Sequence, residues 1–372
     1  MDFKDLFFSN IYRNSPAFGL DISDFSIKIA QLEKRRRGFG LKSFNRYPLP
    51  EGIIVEGEIR DRDGLIEILK KTIIEAKEGK IKTRYAICSL PEQHAFVKVI
   101  SFPKMNANEL REAVKWEAEA NIPFSLDEVY LGWQVISLQP DSENINVLIN
   151  AVPKKLLNDY LETLMLGGIE PVVFEVESVA TARSLVKGGF SPHPVLIIDL
   201  GFNRTSFILF LGNSVVFTNS TPIVSNKGML EDIAEKLNID FKKAQSLKFK
   251  VGLDKDEEEK KIFNALLPSL TKLIEKTKEC MLFYKEHGEK EWGCKEDSCE
   301  IILCGGGANL SGLSEYLSLR LKISVKPGNP WINILPAKKG KVDLKKMPSM
   351  LYDESLAYST VLGLALRGIE KK

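Results

Sequence analysis

The sequence predicts an α/β protein of two related lobes with a phosphate-binding cleft between them. An apolar strand that ends in Asp and a tight turn occurs twice, at Asp21 and at Asp199. In each copy a polar residue stands seven positions further on, Lys28 in the first and Ser206 in the second. A glycine loop at 305–307 then follows a third apolar strand. Two like turns and a glycine loop are suited to holding a nucleotide between two halves of one molecule.

The composition is that of a globular protein with more than one lobe. A chain of 372 residues exceeds the ~100–200 residues of a typical domain, and its apolar fraction of 44% argues against disorder. The 52 basic and 50 acidic residues nearly balance, which gives no support to a nucleic-acid partner. With no signal-peptide pattern and no apolar run near the ~18 residues of a membrane span, we expect a cytoplasmic protein. Its cysteines are then expected to be reduced thiols without zinc.

The first half of the chain alternates between predicted strands and helices. The turn at Asp21 leads into a hairpin around the basic turn Arg35–Arg37. A capping-box pattern at Asn106 and Glu109 begins a later helix that Pro123 ends, and the strands around this helix suggest an inserted subdomain. The predicted elements are strands at 26–33 and 39–44, a helix at 63–78, strands at 85–90 and 95–102, and strands near 129–137 and 146–152.

The second half repeats the hairpin of the first. Residues 206–211 and 215–218 are β-prone and flank Gly212-Asn213, a hairpin turn signal. The run from 188 to 194, rich in glycine and proline, predicts a hinge between the lobes. The other predicted elements are helices at 154–166, 177–187, 227–237, 241–251, 269–286, 310–321 and 355–369, and strands at 172–176 and 323–325.

The two turns and the glycine loop predict a site for Mg²⁺ and a nucleotide. An Asp at the end of a strand can hold a hydrated Mg²⁺, because this ion prefers oxygen ligands and keeps several waters. The turn exposes backbone N–H groups, and Lys28 and Thr205 add a charge and a hydroxyl. Each element alone is typical of an ordinary hairpin or flexible loop, and their duplicated order carries the hypothesis. The chain contains no Walker A pattern.

A further block of sequence resembles a known family. Residues 115–129, KWEAEANIPFSLDEV, are similar to the signature block of the PilM family of type IV pilus assembly proteins. This family belongs to the actin-like ATPase superfamily, together with FtsA. Residues 329–331 and 362–368 are similar as well, so the resemblance runs nearly end to end. It implies an α/β, actin-like (ribonuclease H-like) two-lobed fold with duplicated β-sheet/helix subdomains and an FtsA-like inserted subdomain.

The resemblance also implies a division into subdomains. The first lobe would comprise 1–100 and 151–191, the inserted subdomain 101–150, the core of the second lobe 192–225 and 300–372, and its helical subdomain 226–299.

The function that the resemblance implies is that of a cytoplasmic ATP-binding scaffold at the inner face of the inner membrane. Such a protein docks the N-terminal cytoplasmic tail of PilN, a single-span membrane protein, and works with other pilus platform components. ATP and Mg²⁺ are the implied cofactors, with weak or absent hydrolysis. Two alternatives stay open: a component of a type II secretion platform, and a small-molecule kinase of the same fold, which would need a catalytic acid or base facing its substrate.

By the same resemblance, the site residues fall into three groups. The phosphate and Mg²⁺ group is Asp21, Ser23, Asp24, Lys28, Asp199, Gly201, Thr205 and Ser206, with Mg²⁺ held through water by Asp21 and Asp199. The adenosine group is Gln245, Lys248, Gly305, Gly306, Gly307 and Asn309. Glu177 stands where relatives place a water-orienting residue. The sequence departs from the family pattern at Ser23, in place of glycine, and at Gln245, in place of glutamate, which favours binding over hydrolysis.

Three further features each have two interpretations. Trp116 and Phe124 are expected in the core rather than on a binding surface. The turn Arg35–Arg37 is expected to be an exposed hairpin tip, because lipid-binding clusters usually hold about 4–8 basic residues. The run from Ile332 to Pro336 matches the Ile-Asn-x-Leu-Pro motif of PilN tails. A chance match in an ordinary turn is expected, and docking into a neighbouring copy, with weak self-association, is the alternative.

Overall fold

The structure is a computed structural model that describes most of the chain. The described residues are 16–138, 144–250, 257–292, 294, 299–335, 337–338, 341–342, 350 and 352–369. Three parts of the predicted features lie outside these ranges: residues 1–15 of the first lobe, residues 370–372 of the second lobe, and Pro336 of the motif. Within them, no helix is both long enough and apolar enough to cross a membrane.

Strands and helices are numbered along the chain. The strands are β1 (Phe18–Ile22), β2 (Ser26–Lys34), β3 (Phe39–Pro48), β4 (Ile54–Val55), β5 (Glu58–Ile59), β6 (Tyr85–Leu90), β7 (Phe96–Pro103), β8 (Val129–Ile136), β9 (Asn144–Pro153), β10 (Glu170–Val176), β11 (Ser191–Leu200), β12 (Thr205–Gly212), β13 (Ser214–Thr221), β14 (Glu300–Cys304), β15 (Val325–Pro327), β16 (Ala337–Lys338) and β17 (Lys341–Val342). The helices are α1 (Arg62–Ile74), α2 (Ala107–Asn121), α3 (Lys154–Leu166), α4 (Glu177–Leu185), α5 (Asn226–Leu237), α6 (Phe241–Lys250), α7 (Glu257–Trp292), α8 (Leu313–Leu321), α9 (Tyr352–Leu356) and α10 (Ser359–Ile369).

Two five-stranded sheets of the same topology form the framework of the molecule. The first has the strand order β3-β2-β1-β6-β10, and the second has the order β13-β12-β11-β14-β15. In each sheet the first three strands are antiparallel and the last two run parallel to the central one. The same order and the same directions recur, so the predicted duplication is confirmed.

The register of the two hairpins explains the spacing of the two sequence copies. Asp21 pairs with Lys28 across β1 and β2, and Asp199 pairs with Ser206 across β11 and β12. Residues seven positions apart therefore lie side by side, because the turn between them reverses the chain. The parallel pairs β1–β6 and β11–β14 bring their carboxyl ends to one edge of each sheet.

A three-stranded antiparallel sheet in the order β7-β9-β8, covered by α2, lies between the two halves in the sequence. Helix α2 begins at the predicted capping box and buries Leu110, Val114 and Ala118, which recur every fourth residue on one face. This block also contacts the second lobe, where the Asn213 N–H donates to the carbonyl oxygen of Ser137 at 3.0 Å. The exact subdomain boundaries stay a prediction.

Trp116 and Phe124 do not join the core of this block. Trp116 is 71% exposed and Phe124 is 44% exposed, so the expectation that both are core residues is wrong. For Trp116, the helical period explains the exposure. Trp116 stands midway between Val114 and Ala118, which at about 100° per residue places it nearly opposite the buried stripe.

Helices α4 and α10 pack between the two sheets and connect them. Ala180 and Leu364 share a core with the first sheet, while Leu185 belongs to a core with the second. The two helices approach closely at Gly363, where a Cβ atom would lie 1.8 Å from the carbonyl oxygen of Ala180. Only glycine fits such a contact, so this pair of helices is a tightly packed layer.

A buried ion cluster reinforces that layer. The Glu175 side chain, 4% exposed, accepts from Arg183 of α4 at 2.5 and 2.6 Å and also pairs with Arg367 of α10. One carboxylate at the end of β10 thus joins both helices to the first sheet.

The segment that matches the PilN-tail motif lies in the chain's own core. Ile334 is 1% exposed and Leu335 is 4% exposed. The amide of Asn333 donates hydrogen bonds of 2.9 and 2.7 Å to carbonyl groups at the end of α4. Residues held in this way are not available to a neighbouring copy, so the docking alternative is contradicted and the ordinary interpretation stands.

Candidate nucleotide-binding site

A cavity of ≈ 730 Å³ lies between the two lobes, where β1 and β11 end. Its size falls within the ~300–1,000 Å³ of typical ligand pockets. The predicted residues that line it are Asp21, Ser23, Asp24, Lys28, Glu177, Asp199, Gly201, Ser206, Gln245, Gly305, Gly306 and Asn309. Thr205, Lys248 and Gly307 lie behind the cavity wall.

The carboxylate of Asp21 is buried, and each of its oxygens accepts a hydrogen bond. Its Oδ2 accepts from the Lys28 ammonium at 2.8 Å, and its Oδ1 accepts from the Ser89 hydroxyl at 3.0 Å. Lys28 lines the cavity and, with three protons on its ammonium, can also donate to an anion there. In the first turn, the group best placed to contact a ligand is therefore the Lys28 ammonium rather than the Asp21 carboxylate.

Ser23 and Asp24 line the cavity, but their polar groups serve the fold. The N–H and the hydroxyl of Ser23 both donate to the carbonyl oxygen of Ser26, at 3.1 and 3.0 Å. The Asp24 carboxylate accepts the N–H groups of Gly57 at 2.8 Å and Glu56 at 3.1 Å, in the turn between β4 and β5. A phosphate contact by the Ser23 N–H would require the turn between β1 and β2 to rearrange, because that N–H already donates to Ser26.

Asp199 is the carboxylate of the second turn, and it is half-buried. Burial raises its pKa to about 6, and the charge of Lys28 opposes the rise while Asp21 and Glu92 add to it. Within the described part of the chain, its carboxylate accepts no hydrogen bond. A hydrated cation would stabilise its charged form, so Asp199 suits Mg²⁺ better than Asp21 does.

The rest of the second turn is tied to its own lobe. The carbonyl oxygen of Gly201 accepts the N–H of Asn226 at 3.0 Å. The Ser206 hydroxyl bonds the Ser220 hydroxyl at 3.2 Å on β13, and Arg204 donates to the Ser220 carbonyl oxygen at 2.8 Å. These bonds hold the second turn rigidly at the edge of its sheet.

The glycine loop brings its backbone close to Asp199. Gly305 has φ = +81°, and a Cβ atom there would lie 2.3 Å from Asp199 Oδ1. At Gly306 a Cβ would meet no atom within 4 Å, whereas Gly307 is packed against Leu200. Asn309 Oδ1 is buried and, among the residues described, has no hydrogen-bond partner. An unsatisfied buried acceptor is suited to the donors of a ribose or an adenine.

Two of the predicted residues behind the wall are fixed by packing. Lys248 is 3% exposed and hydrogen-bonds the side chain of Asn226, and burial lowers its pKa to about 8. Thr205 is completely buried in β12. Gln245, on the exposed side of the same helix as Lys248, does line the cavity.

Glu177 stands at the first position of α4, and a second acidic residue supports it. The N–H of Glu92 donates to Glu177 Oε2 at 3.4 Å, and the N–H of Ser178 donates to Glu92 Oε2 at 3.0 Å. Burial raises the pKa of both carboxyls, and the charges of Asp21, Glu92 and Asp199 raise that of Glu177 further. A carboxyl whose pKa is raised gains a proton more readily, and its protonated form can orient water but cannot act as a general base. Glu92 was not among the predicted site residues, although it stands two positions after the end of the buried strand β6.

Two aromatic residues of the cavity were also missed. Phe25 of the first turn and Phe202 of the second both line it, with their rings stacked 3.7 Å apart. Other lining residues that were not predicted are Arg46, Asn203, Arg204, Ser220, Asn226, Tyr358, Ser359 and Thr360.

Together these groups fit a nucleotide with Mg²⁺. Lys28 offers a cation and Gly306 offers open backbone. Counting partners in the described ranges alone, Asn309 offers an acceptor without a hydrogen bond and Asp199 a carboxylate without one. Asp21 fits a metal less directly, because each of its oxygens already accepts one hydrogen bond, from Lys28 and from Ser89.

Comparison with solved structures places this architecture among actin-like proteins. The ethanolamine utilization protein EutJ from Carboxydothermus hydrogenoformans is 16% identical, with a TM-score of 0.55 and coverage of 97% of this chain and 94% of that one. MreB 5 of Spiroplasma citri bound to AMPPNP is 14% identical, with a TM-score of 0.54 and coverage of 95% and 96%. At these identities the likeness shows the fold alone, and it confirms the predicted actin-like α/β fold.

A nearer relative narrows the family. A structure of the PilM-PilN type IV pilus biogenesis complex is 27% identical, with a TM-score of 0.76, and covers 96% of this chain and 99% of that one. The family model described as type IV pilus assembly protein PilM matches residues 19–369. The chain therefore belongs to the PilM family of type IV pilus assembly proteins, as its sequence blocks at 115–129 and 362–368 predicted.

Proposed function

We propose that this chain is an ATP-binding scaffold of the type IV pilus inner-membrane platform, and that it docks the N-terminal cytoplasmic tail of a PilN-like single-span membrane protein. The observation that carries the proposal is the end-to-end likeness to the PilM-PilN complex. A location at the inner face of the inner membrane follows from such a partner. This likeness favours neither a type II secretion component nor a small-molecule kinase.

The interlobe cavity supports the nucleotide part of the proposal. Its lining includes residues from both hairpin turns and from the glycine loop, among them most of the predicted phosphate and adenosine contacts. In this arrangement Lys28 would contact phosphate oxygens, Asp199 would hold Mg²⁺ through water, and Gly306 with Asn309 would face the adenosine.

Asp199→Ala is expected to weaken the binding of Mg·ATP about tenfold or more, ~1.4 kcal/mol, because the carboxylate that holds the hydrated metal is lost. Isothermal titration calorimetry on the full chain measures this. The control is ATP with a chelator in place of Mg²⁺. Without metal the variant should bind ATP at least as well as the wild type, because removing an anion reduces repulsion of the triphosphate. Equal loss under both conditions would contradict a metal role for Asp199.

The sheet with α2 supports the partner part of the proposal. Strands β7 and β8 each pair only with β9 among the described strands, so each leaves a free edge. Contacts tie the β8 side to helix α3 of the first lobe: the Tyr130 hydroxyl bonds Asn158 at 3.1 Å, and Lys154 donates to the carbonyl oxygen of Asp127 at 2.7 Å. An extended peptide can add to a free strand edge through main-chain hydrogen bonds. We place the docking groove along β8 beside α3.

A synthetic peptide with the Ile-Asn-Leu-Leu-Pro sequence is expected to bind the full chain, and Val135→Asp is expected to weaken that binding about tenfold. Val135 lies on β8 and is 56% exposed, so a charge there would meet an apolar peptide while leaving the core intact. Ile74→Asp is the matched control, because Ile74 is 80% exposed on α1. Fluorescence anisotropy of the labelled peptide is the measurement. No binding by the wild type would count against the partner, and equal binding by Val135→Asp would count against the groove along β8.

A further inference from the structure

The two predicted phosphate turns touch each other through a pair of aromatic rings. Phe25 lies in the turn between β1 and β2, and Phe202 lies in the turn between β11 and β12. Their ring centroids are 3.7 Å apart and the ring planes are inclined by 18°, which is a stacked arrangement. Because the two hairpins belong to different sheets, this stack joins the first lobe to the second at the wall of the cavity.

The backbone of each turn is fixed to its own lobe. The carbonyl oxygen of Phe25 accepts the N–H of Leu49 at 2.8 Å, and that of Phe202 accepts the N–H of Lys227 at 2.8 Å. Asp24 also ties the first turn to the hairpin beside it. If the lobes move apart, the rings must separate while both turns stay folded.

We propose that Phe25 and Phe202 form an interlobe clasp that controls nucleotide exchange at the cavity. This inference rests on the proposed function, since it requires the phosphate chain to lie between Asp21 and Asp199. With the rings stacked, their apolar surface spans the space between the two turns, and a hydrated triphosphate would not pass between them. Nucleotide enters and leaves when the lobes separate and the rings part.

The nature of the contact suits a reversible clasp. Both side chains are half-buried, so parting them exposes a limited apolar area, and an aromatic stack adds only modestly to that burial. Arg46, with its guanidinium carbon 5.6 Å from the centre of the Phe25 ring, adds a cation–π attraction. The contact is thus much weaker than the packed layer of α4 and α10. Opening is therefore a fluctuation of the folded protein that leaves this layer intact.

Stopped-flow kinetics with a fluorescent ATP analogue and Mg²⁺, on the full chain, test the clasp. For Phe202→Ala we expect the association and dissociation rate constants both to rise about tenfold, with less than about threefold change in Kd, because the barrier falls by ~1.4 kcal/mol. Phe25→Ala should behave alike, and the double variant should exceed neither, since all three lose the same contact. Phe202→Tyr keeps the ring and should retain the wild-type rates.

The outcomes separate the clasp from the proposed function. Wild-type rates in Phe202→Ala would overturn the clasp and leave ATP binding in place. Failure of the wild type to bind the analogue would overturn the proposed ATP site, and with it the role of the clasp in nucleotide exchange.

A second measurement uses spin labels on Ile74→Cys and Leu319→Cys, at positions that are 80% and 78% exposed, to report the distance between the lobes. The native cysteines are all buried. A distance distribution that widens in Phe202→Ala supports the clasp, and an unchanged one overturns it.

Discussion

Alanine at Gly305 is expected to weaken nucleotide binding severely, whereas alanine at Gly228 of α5, which does not line the cavity, is expected to change it little. Gly305 has φ = +81° and ψ = 168°, a backbone region essentially restricted to glycine. A Cβ atom there would lie 2.3 Å from Asp199 Oδ1 and 2.6 Å from the carbonyl oxygen of Leu200. Relief of this clash would displace the Asp199 carboxylate together with the glycine loop. We therefore expect the affinity for Mg·ATP to fall about 100-fold or more, ~2.8 kcal/mol.

Gly228→Ala is the matched control, because Gly228 lies in a helix outside the cavity lining and a Cβ there would meet only Ser225 Oγ, at an ordinary distance of 3.4 Å. Calorimetric titration measures both variants, and circular dichroism establishes that each is folded. A folded Gly305→Ala that bound Mg·ATP like the wild type would rule out the glycine loop as a wall of the site. Equal losses in both variants would show that the effect does not come from the glycine loop.

The paired turns could be predicted because local geometry determines them. In an antiparallel hairpin, the spacing of two residues along the chain decides whether they face each other, and the seven-residue spacing seen in the sequence corresponds to the pairing of Asp21 with Lys28 and of Asp199 with Ser206. The carboxyl ends of parallel strands then meet at one edge, which is why most of the predicted site residues line one cavity.

Contacts between distant segments could not be predicted in this way. Phe25 and Phe202 stack because two separate hairpins face each other, and Glu92 reaches the site because β6 lies between β1 and β10. Lys248 is turned inward by packing against Asn226, which its helical spacing alone does not reveal. Trp116 is a different case. The helical period of α2 already places it away from the buried stripe, and the general tendency of tryptophan to be buried was the wrong guide there.

Glu175→Gln is expected to cost about 3–5 kcal/mol of unfolding free energy at pH 7, the largest stability change that we predict. The substitution preserves shape but removes the negative charge that lies between the guanidinium groups of Arg183 and Arg367. Urea denaturation followed by circular dichroism measures the loss. Glu67→Gln is the control, because Glu67 pairs at 2.5 Å with Lys71, their side chains are 67% and 47% exposed, and such exposed pairs contribute about 0–1 kcal/mol.

The pH dependence of the Glu175 cluster distinguishes charge from packing. Burial alone would raise the pKa of Glu175, but the charges and hydrogen bonds of Arg183 and Arg367 lower it to about 2, from an ordinary value of 4.5. A carboxyl whose pKa is lowered by folding stabilises the folded state above its unfolded pKa, and that stabilisation, about 3 kcal/mol, is lost as the pH falls from 4.5 towards 2. The stability difference between the wild type and Glu175→Gln should therefore be full at pH 7 and shrink steadily below pH 4.5. A difference that stays constant down to pH 3 would mean that lost packing, rather than the carboxylate charge between α4 and α10, accounts for the effect.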